Sequence, residues 1–161
     1  MLKVMHKNSG FTIMELMTTI AIIAVLAAIA VPNMIGWRSG TKLQGAVENL
    51  RGDLQLAKLA AVKENGSVAV LFSSNGYEVF TDDGSTQTGA FHEADGERRF
   101  RNRQLPAGVS IDLGATDFNG NDYLRFNNRG LVENAGTIVI NSSGGEGRTI
   151  DLNRLGRIAI N

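Results

Sequence analysis

The feature that most constrains this chain is a long uncharged apolar run close to its N-terminus. Between Lys7 and Arg38 the only formally charged residue is Glu15, and residues 16–37 carry no formal charge. A run of about 18 or more mainly apolar residues is long enough to cross the hydrocarbon of a membrane as one α-helix. We therefore predict a transmembrane helix within residues 11–40.

The charges around this run predict how the chain is inserted. Lys3 and Lys7 precede the run, which favours a cytoplasmic N-terminus, although Arg38 and Lys42 on the other side weaken the contrast. A secretory signal peptide fits poorly, because the apolar run is about twice as long as the apolar region of such a peptide. The pattern favours a single-pass anchor followed by one soluble domain that begins at about Thr41.

Three features are unexpected in a plain membrane anchor. Gly10 stands immediately before Phe11, at the junction between the polar leader and the apolar run. Glu15 lies inside the run, where an ionised carboxylate costs about 2.5–3.5 kcal/mol or more. Pro32 removes a backbone hydrogen bond and kinks a helix. Each has a plain alternative, namely a loop glycine, a carboxylate that reaches the membrane surface, and a tolerated membrane proline.

Together, these residues match a known processing signal. The stretch KNSGFTIMELM at residues 7–17 resembles the class III signal of type IV pilins and type II secretion pseudopilins. In that family a prepilin peptidase cuts after the glycine, and the new N-terminal phenylalanine is N-methylated. The resemblance implies a leader peptide over residues 1–10, cleavage between Gly10 and Phe11, and methylation of Phe11. It also implies that Glu15 and Pro32 are the family's assembly residues.

The resemblance further implies where the chain works and with what. Members of the family sit in the bacterial inner membrane by one helix, with the C-terminal domain in the periplasm, and then enter a filament. The implied partners are other pilins or pseudopilins, in a homo- or hetero-polymer, together with the prepilin peptidase and an inner-membrane assembly platform.

The pairing of two charges suggests a physical role for Glu15. Cleavage would create a cationic amine at Phe11, and Glu15 of a neighbouring copy would supply an anion. Either charge alone is costly in lipid, and pairing recovers part of that cost while it sets the axial register between copies. Our hypothesis is that Glu15 registers subunits in a filament.

The soluble part begins with a second helical pattern over residues 41–64. Apolar residues recur at alternating steps of four and three, which predicts an amphipathic helix that ends at Asn65-Gly66. With the anchor it forms one helix of about fifty residues. Gly45 and Gly52 lower helix propensity by about 1 kcal/mol each, so we expect close packing to require them. The apolar seam consists of Leu43, Val47, Leu50, Leu54, Ala57 and Ala61.

Residues 67–161 predict a β-rich head. Two strand patterns at 67–73 and 77–81 flank Ser74-Asn75-Gly76, which is a hairpin signal. A polar loop follows at 82–97. The predicted fold class is α+β, with a long N-terminal helix packed on an antiparallel β-rich C-terminal domain. Further short strands are predicted at 98–103, 109–113, 123–127, 137–141, 149–152 and 157–160.

The C-terminal segment, residues 124–158, narrows the resemblance to one group within the family. The segments 124–130, 136–140, 148–150 and 155–158 resemble the C-terminal domain of the GspH/FimT group, in which a phenylalanine-to-glycine turn precedes two hairpins. That group comprises the H-type minor pseudopilin of type II secretion and the T-type minor pilin. The resemblance implies a minor subunit that primes or caps a pseudopilus or pilus. The chain has no cysteine, unlike the many major pilins that close a C-terminal disulfide loop.

The sequence predicts no enzyme, no cofactor and no metal centre. It contains no HExxH motif, Walker loop or Ser/His/Asp arrangement, and His92, beside Glu93, lies in the polar loop. The loop 117–122 offers several oxygen ligands for calcium. It departs from an EF-hand because its glycine comes too early and Asn128 stands where a glutamate is needed. Calcium binding is therefore the less favoured interpretation of this loop.

A basic cluster at residues 98–103 has two interpretations. Strand alternation predicts Arg99, Arg101 and Arg103 on one face, with Phe100 toward the core. The favoured interpretation is an exposed edge strand protected by charge. The alternative is a phosphate-binding patch of a filament-tip module for DNA or a secreted substrate, which Arg154 and Arg157 would join.

The net charge of zero favours neither kind of partner, but the two halves of the soluble domain differ. Residues 41–97 carry four basic and nine acidic side chains, whereas residues 98–161 carry nine basic and six acidic ones. The difference is compatible with head-to-tail contacts between copies, and equally with ordinary surface scatter.

Overall fold

The computed structural model describes residues 10–82 and 97–161. Most of the predicted leader and most of the predicted polar loop, with His92 and Glu93, lie outside the described residues. By its contacts the chain divides into two compact units, Met1–Trp37 and Arg38–Asn161.

One helix, α1, spans Ile13–Glu64, which confirms the prediction of a single helix of about fifty residues. Thr12 caps its start. The Thr12 hydroxyl accepts a hydrogen bond from the Glu15 N–H at 3.2 Å, and its carbonyl accepts one from the Leu16 N–H at 3.1 Å. This arrangement satisfies N–H groups that have no partner inside the helix.

The first unit contains the apolar part of α1. By length and composition α1 can cross a membrane, and none of its most apolar stretch is buried inside the structure. Position 32 lies within the helix, but the side chain of Pro32 is outside the described ones, so the predicted kink stays a prediction.

The second unit begins with the amphipathic part of α1. All six residues of the predicted seam are buried, which confirms the seam. The expectation for Gly45 and Gly52 is wrong, because a Cβ at either position would meet no atom of the described residues within 4 Å. Both glycines lie on the exposed side of the helix, where no part of residues 10–82 or 97–161 packs closely enough to require them.

In the described residues, eight strands form two antiparallel sheets, as predicted for an α+β domain. One sheet has the order β3-β2-β1-β5 and the other β4-β6-β7-β8. The strands are β1 Ser67–Ser73, β2 Gly76–Asp82, β3 Arg99–Gln104, β4 Val109–Ile111, β5 Tyr123–Phe126, β6 Gly136–Ser142, β7 Gly147–Leu152 and β8 Ile158–Ile160.

The core of the second unit lies where α1 packs on both sheets. Phe72 and Phe118 stack within it, with ring centroids 5.3 Å apart. Burial of this aromatic and aliphatic surface is the main stabilising contribution to the domain. The core includes Leu50, Leu54, Val70, Val79, Leu124, Phe126, Ile138, Ile140 and Ile150.

Local turns occur where the sequence predicts them. The β1–β2 hairpin pairs Ser73 with Gly76 across a two-residue turn. At the end of α1, Asn65 adopts a left-handed φ of 52°, and the Gly66 N–H reaches the Ala61 carbonyl at 3.2 Å. This geometry satisfies a carbonyl that the end of the helix leaves without a partner.

Candidate assembly surfaces

The predicted processing junction lies at the start of α1. Gly10 and Phe11 precede the helix, and Phe11 is 81% exposed. Glu15 lies in the first helical turn, where the positive end of the helix dipole favours a carboxylate. The cleavage site, the methylation site and the predicted registration carboxylate are therefore all exposed and lie within six consecutive residues.

The apolar side chains of the first unit form an exposed surface. Monomeric soluble proteins rarely expose an apolar patch of this kind, which therefore indicates contact with lipid or with other chains. The surface includes Phe11, Ile13, Met14, Leu16, Met17, Ile20, Ile22, Ile23, Val25, Leu26, Ile29, Val31 and Trp37.

The prediction that Arg99, Arg101 and Arg103 share one face of β3 is wrong. Arg101 and Arg103 contact Asp53 on α1 at 3.5 and 2.8 Å, whereas Arg99 contacts Glu78 at 3.2 Å. The cause is a register shift, because β3 pairs Arg101 with Val79 but Arg99 with Phe80.

This shift leaves Phe100 as an extra residue in β3 and breaks the simple alternation of side chains. Phe100 packs against the core, as predicted. β3 also lies at the edge of its sheet, which agrees with the charged edge strand expected from the sequence.

A buried carboxylate organises this region. Asp53 is only 5% exposed, and its Oδ2 accepts hydrogen bonds from the Tyr77 hydroxyl and from the Arg103 Nε–H, both at 2.8 Å. Burial and the bond to Asp53 raise the pKa of Tyr77 above its usual value. The bond to Asp53 likewise raises the pKa of Arg103.

Sequence reasoning missed Asp53. The available signal was its position, because it directly precedes the seam residue Leu54 and follows the seam residue Leu50 by three. A charged residue on the apolar side of a helix needs a partner in the fold. The sequence does not say which partner, since β2 and β3 are distant from α1 along the chain.

The β3 arginines are neutralised by carboxylates within the chain. Arg98 also pairs with Glu64, and its guanidinium lies 4.7 Å from the centre of the Phe100 ring. Phosphate binding depends on cations whose charge is available, so these ion pairs argue against a nucleic-acid patch on β3. Arg154 and Arg157 flank the β7–β8 turn and form no ion pair with this cluster in the described parts of the chain.

The candidate calcium loop is a backbone turn. Asp117 Oδ1 accepts the Gly120 N–H at 3.1 Å, while Asn119 and Gly120 have left-handed φ angles of 57° and 81°. The Asp117 backbone is bridged to Thr137. Within residues 10–82 and 97–161, no group of three or more His, Cys, Asp or Glu side chains is arranged to hold a metal ion.

Lys58 on α1 contacts two turns, the one that contains Gly156 and the one that contains Gly130. The sequence did not predict this contact. Its Nζ donates to the Gly156 carbonyl at 3.0 Å and to the Leu155 carbonyl at 3.3 Å. Gly156 and Gly130 both have a φ of 70°. A Cβ at Gly156 would lie 2.6 Å from the Gly130 carbonyl oxygen, so only glycine permits this approach.

Comparison with known protein families identifies both parts of the chain. A family model described as "Type II transport protein GspH" matches residues 46–156. A second, described as "Prokaryotic N-terminal methylation motif", matches residues 5–31. Most of the second unit and the predicted processing signal are thus covered by separate matches.

Curated relatives match only over a short segment. The type IV major pilin protein PilA of Myxococcus xanthus is 49% identical over 45 residues, which is 28% of this chain and 20% of that protein. The type II secretion system core protein G of Vibrio cholerae is 37% identical over 49 residues, which is 30% of this chain and 34% of that protein. The matches thus span about a fifth and a third of these relatives.

Solved structures share the fold over most of the chain. The type IV minor pilin FimU of Pseudomonas aeruginosa superimposes with a TM-score of 0.58 at 19% identity, over 78% of this chain and 92% of that one. The minor pseudopilin EpsH from the type 2 secretion system of Vibrio cholerae gives 0.56 at 14% identity, over 74% and 95%. At such identities the comparison shows the fold alone, and it confirms a long helix packed on antiparallel sheets.

Proposed function

Because the chain belongs to the GspH family of type II transport proteins, we propose that it is a minor subunit that primes or caps a type II secretion pseudopilus or a type IV pilus. The observation that carries the proposal is the presence of two matches on one chain: the GspH domain at residues 46–156 and the methylation motif at residues 5–31. In this proposal the chain acts by polymerising, and it catalyses no reaction.

Cleavage of the membrane-inserted chain is the first step of the proposed maturation. A prepilin peptidase cleaves between Gly10 and Phe11, and the new amine of Phe11 is methylated. The position of the junction supports this step, since both residues precede α1 and Phe11 is exposed. A peptide bond outside a helix can enter a protease site without breaking helical hydrogen bonds.

Assembly follows in the same membrane. The apolar part of α1 holds the chain in the inner membrane with its N-terminus in the cytoplasm and its second unit in the periplasm. The exposed apolar side chains of the first unit then exchange lipid for the helices of neighbouring subunits at an assembly platform. Lipid and helix side chains are similarly apolar, so the hydrophobic effect does not favour one over the other. Van der Waals packing between helices therefore drives this exchange.

Glu15 sets the register of that assembly. Its carboxylate meets the Phe11 amine of a neighbouring subunit, and the pair lowers the cost of two charges in an apolar surrounding. A displaced neighbour would leave both charges without partners. The energetic penalty for an incorrect register therefore arises from the same two groups.

The test is made in cells that contain the processing peptidase. Mass spectrometry of the purified chain should show loss of residues 1–10 and one added methyl group on Phe11. An intact bond between Gly10 and Phe11 would sink the proposal.

Assembly is then tested with Glu15→Gln, which removes the charge and keeps the shape. We expect normal processing and at least tenfold less subunit in sheared filaments. Loss of about 1.4 kcal/mol from the pairing of Glu15 with the Phe11 amine would lower the equilibrium constant for incorporation by a factor of ten. The control is Glu48→Gln, which makes the same charge change at an exposed site of the second unit. Equal incorporation of both variants would remove Glu15 from the mechanism.

A further inference from the structure

A small exposed surface of the second unit combines aliphatic and basic side chains. It lies where the last turns of α1 meet two loops, the turn that contains Gly130 and the β7–β8 turn that contains Gly156. We call it the basic-apolar surface. It consists of Leu59, Val62, Arg129, Arg154, Leu155 and Arg157.

The aliphatic members are unusually exposed for a folded domain. Leu59, Val62 and Leu155 are 70%, 50% and 72% exposed. They are the only large hydrophobic residues that are exposed in the described part of the second unit. Single exposed aliphatic residues are ordinary, but a group of three at one place indicates a contact surface.

Contacts within the chain place these residues together. Lys58 donates to the Leu155 carbonyl, and Leu59 follows it on α1. A Cβ at Gly130 would lie 3.2 Å from Val62 Cγ2 and 3.2 Å from the side chain of Lys58. The turns that hold Arg129 and Leu155 therefore touch the same two turns of helix.

A groove borders this surface at Leu59. It has a volume of about 310 Å³ and is lined by Gln55, Lys58, Leu59, Gly156 and Ile158. Leu59 and Ile158 supply its aliphatic side chains, and the Lys58 ammonium is occupied by two carbonyl groups. A large apolar side chain is the kind of group that fits such a groove.

The arginines of the basic-apolar surface differ from those on and beside β3. Arg129, Arg154 and Arg157 are exposed, and none forms an ion pair with a carboxylate among the residues that the structure describes. The four β3-side arginines, in contrast, all pair with Asp53, Glu64 or Glu78. This surface thus carries three exposed arginines whose charge no carboxylate of the described residues neutralises.

We propose that the basic-apolar surface docks an acidic segment of a neighbouring filament subunit, and that a large apolar side chain of that segment enters the groove. The charge of the rim selects an acidic partner, and the groove supplies the buried anchor. The inference rests on the proposed function, because it assigns the partner to the same filament.

The surface favours a protein over a nucleic acid. Proteins that bind single strands place aromatic rings beneath the bases, and the six residues of this surface include no aromatic side chain. Protein partners, in contrast, bury exposed aliphatic groups within a polar rim. The two loops are also held in place by Lys58 and by the close approach of Gly156 to Gly130, which reduces the ordering cost of binding.

The test uses the full chain in filament-assembling cells, with a photoreactive amino acid in place of Leu155. The control places the same group at Gln44, an exposed position on α1 away from the groove. We expect light to join position 155 to an acidic peptide of another pilin-type subunit, identified by mass spectrometry.

Charge reversal then tests the rim. Arg154→Glu should lower the yield of that product about tenfold. The matched control is Arg148→Glu, which reverses an exposed arginine on β7 and should leave the yield unchanged.

Each remaining outcome overturns the proposal. These outcomes are a product with nucleic acid, with lipid or with a neutral or basic peptide, no product at position 155, and a yield that Arg154→Glu does not change. If the chain enters filaments normally while any of these occurs, the docking inference fails and the proposed function stands. If the chain is neither processed nor incorporated, the proposed function fails first.

Discussion

The ammonium group of Lys58 on α1 donates a 3.0 Å hydrogen bond to the carbonyl of Gly156, 98 residues later in the chain. The bond attaches the β7–β8 turn to the helix, and the side chain of Lys58 also packs beside Gly130. Two tail glycines that the sequence shows only as turn signals therefore belong to one contact.

This contact predicts that Gly156→Ala destabilises the second unit by about 2 kcal/mol or more. The new Cβ would meet the Gly130 carbonyl oxygen at 2.6 Å and would also strain a left-handed backbone. Gly145→Ala is the control, because its φ is 83° and its Cβ would meet no described atom within 4 Å. Urea unfolding of the mature chain in detergent measures both, and equal losses would contradict the close-contact explanation.

Lys58→Met tests the other half of the contact. The substitution keeps an apolar stem of similar length but removes the donor to two carbonyls, so we expect a loss of about 1–2 kcal/mol. Lys63→Met removes a charge from an exposed position five residues later on the same helix, and it should change the free energy of unfolding by less than about 0.5 kcal/mol. A similar loss for both variants would show that general charge, not the Lys58 contact, stabilises the fold.

Asp53→Ala should be among the more damaging single substitutions in the second unit. It leaves the Tyr77 hydroxyl without its acceptor and takes the shared partner from Arg101 and Arg103. Because both arginines are partly exposed and can turn to water, we expect a loss of about 2–3 kcal/mol. Unfolding of Glu48→Ala, at an exposed position of the same helix, provides the baseline.

The same cluster predicts an alkaline dependence of stability. The pKa of Tyr77 is raised in the folded state, first by burial and then by the bond to Asp53. The folded chain therefore keeps the Tyr77 proton above the unfolded value of about 10, so this contribution is complete below that pH and is lost as pH rises through the folded pKa.

Two variants separate this titration from that of the second tyrosine in the chain. Tyr123→Phe leaves Tyr77 as the sole tyrosine, and its ultraviolet absorbance should report ionisation only at a pH above that of the unfolded chain. Tyr77→Phe should lose this part of the pH dependence. If Tyr77 of the folded Tyr123→Phe chain ionised at the same pH as in the unfolded chain, the burial of its hydroxyl would be contradicted.

Gly45→Ala and Gly52→Ala should each stabilise α1 by about 0.5–1 kcal/mol. Both positions are helical and open, so the added methyl group improves helix propensity and meets no described neighbour. Thermal unfolding of the mature chain measures the gain. A loss of stability would mean that residues outside the described part approach these glycines.

Local patterns in the sequence determined much of this protein. The uncharged run and the apolar seam predicted one long helix. Alternation with turn residues predicted the eight strands of the described residues at nearly their observed positions. These patterns are reliable because helix and strand periods, caps and two-residue turns depend on neighbours a few positions away. The processing signal belongs to the same class, since a contiguous stretch of residues carries it.

Only the tertiary structure decided which charges meet. Because of the register shift opposite Val79 and Phe80, Arg99 pairs with Glu78, whereas Arg101 and Arg103 pair with Asp53. Partners dozens of residues apart depend on sheet register and on how the helix lies on the sheets, and a shift of one residue moves a side chain to the other face. For that reason the sequence shows how many arginines there are, whereas the fold decides which of them remain available to a partner.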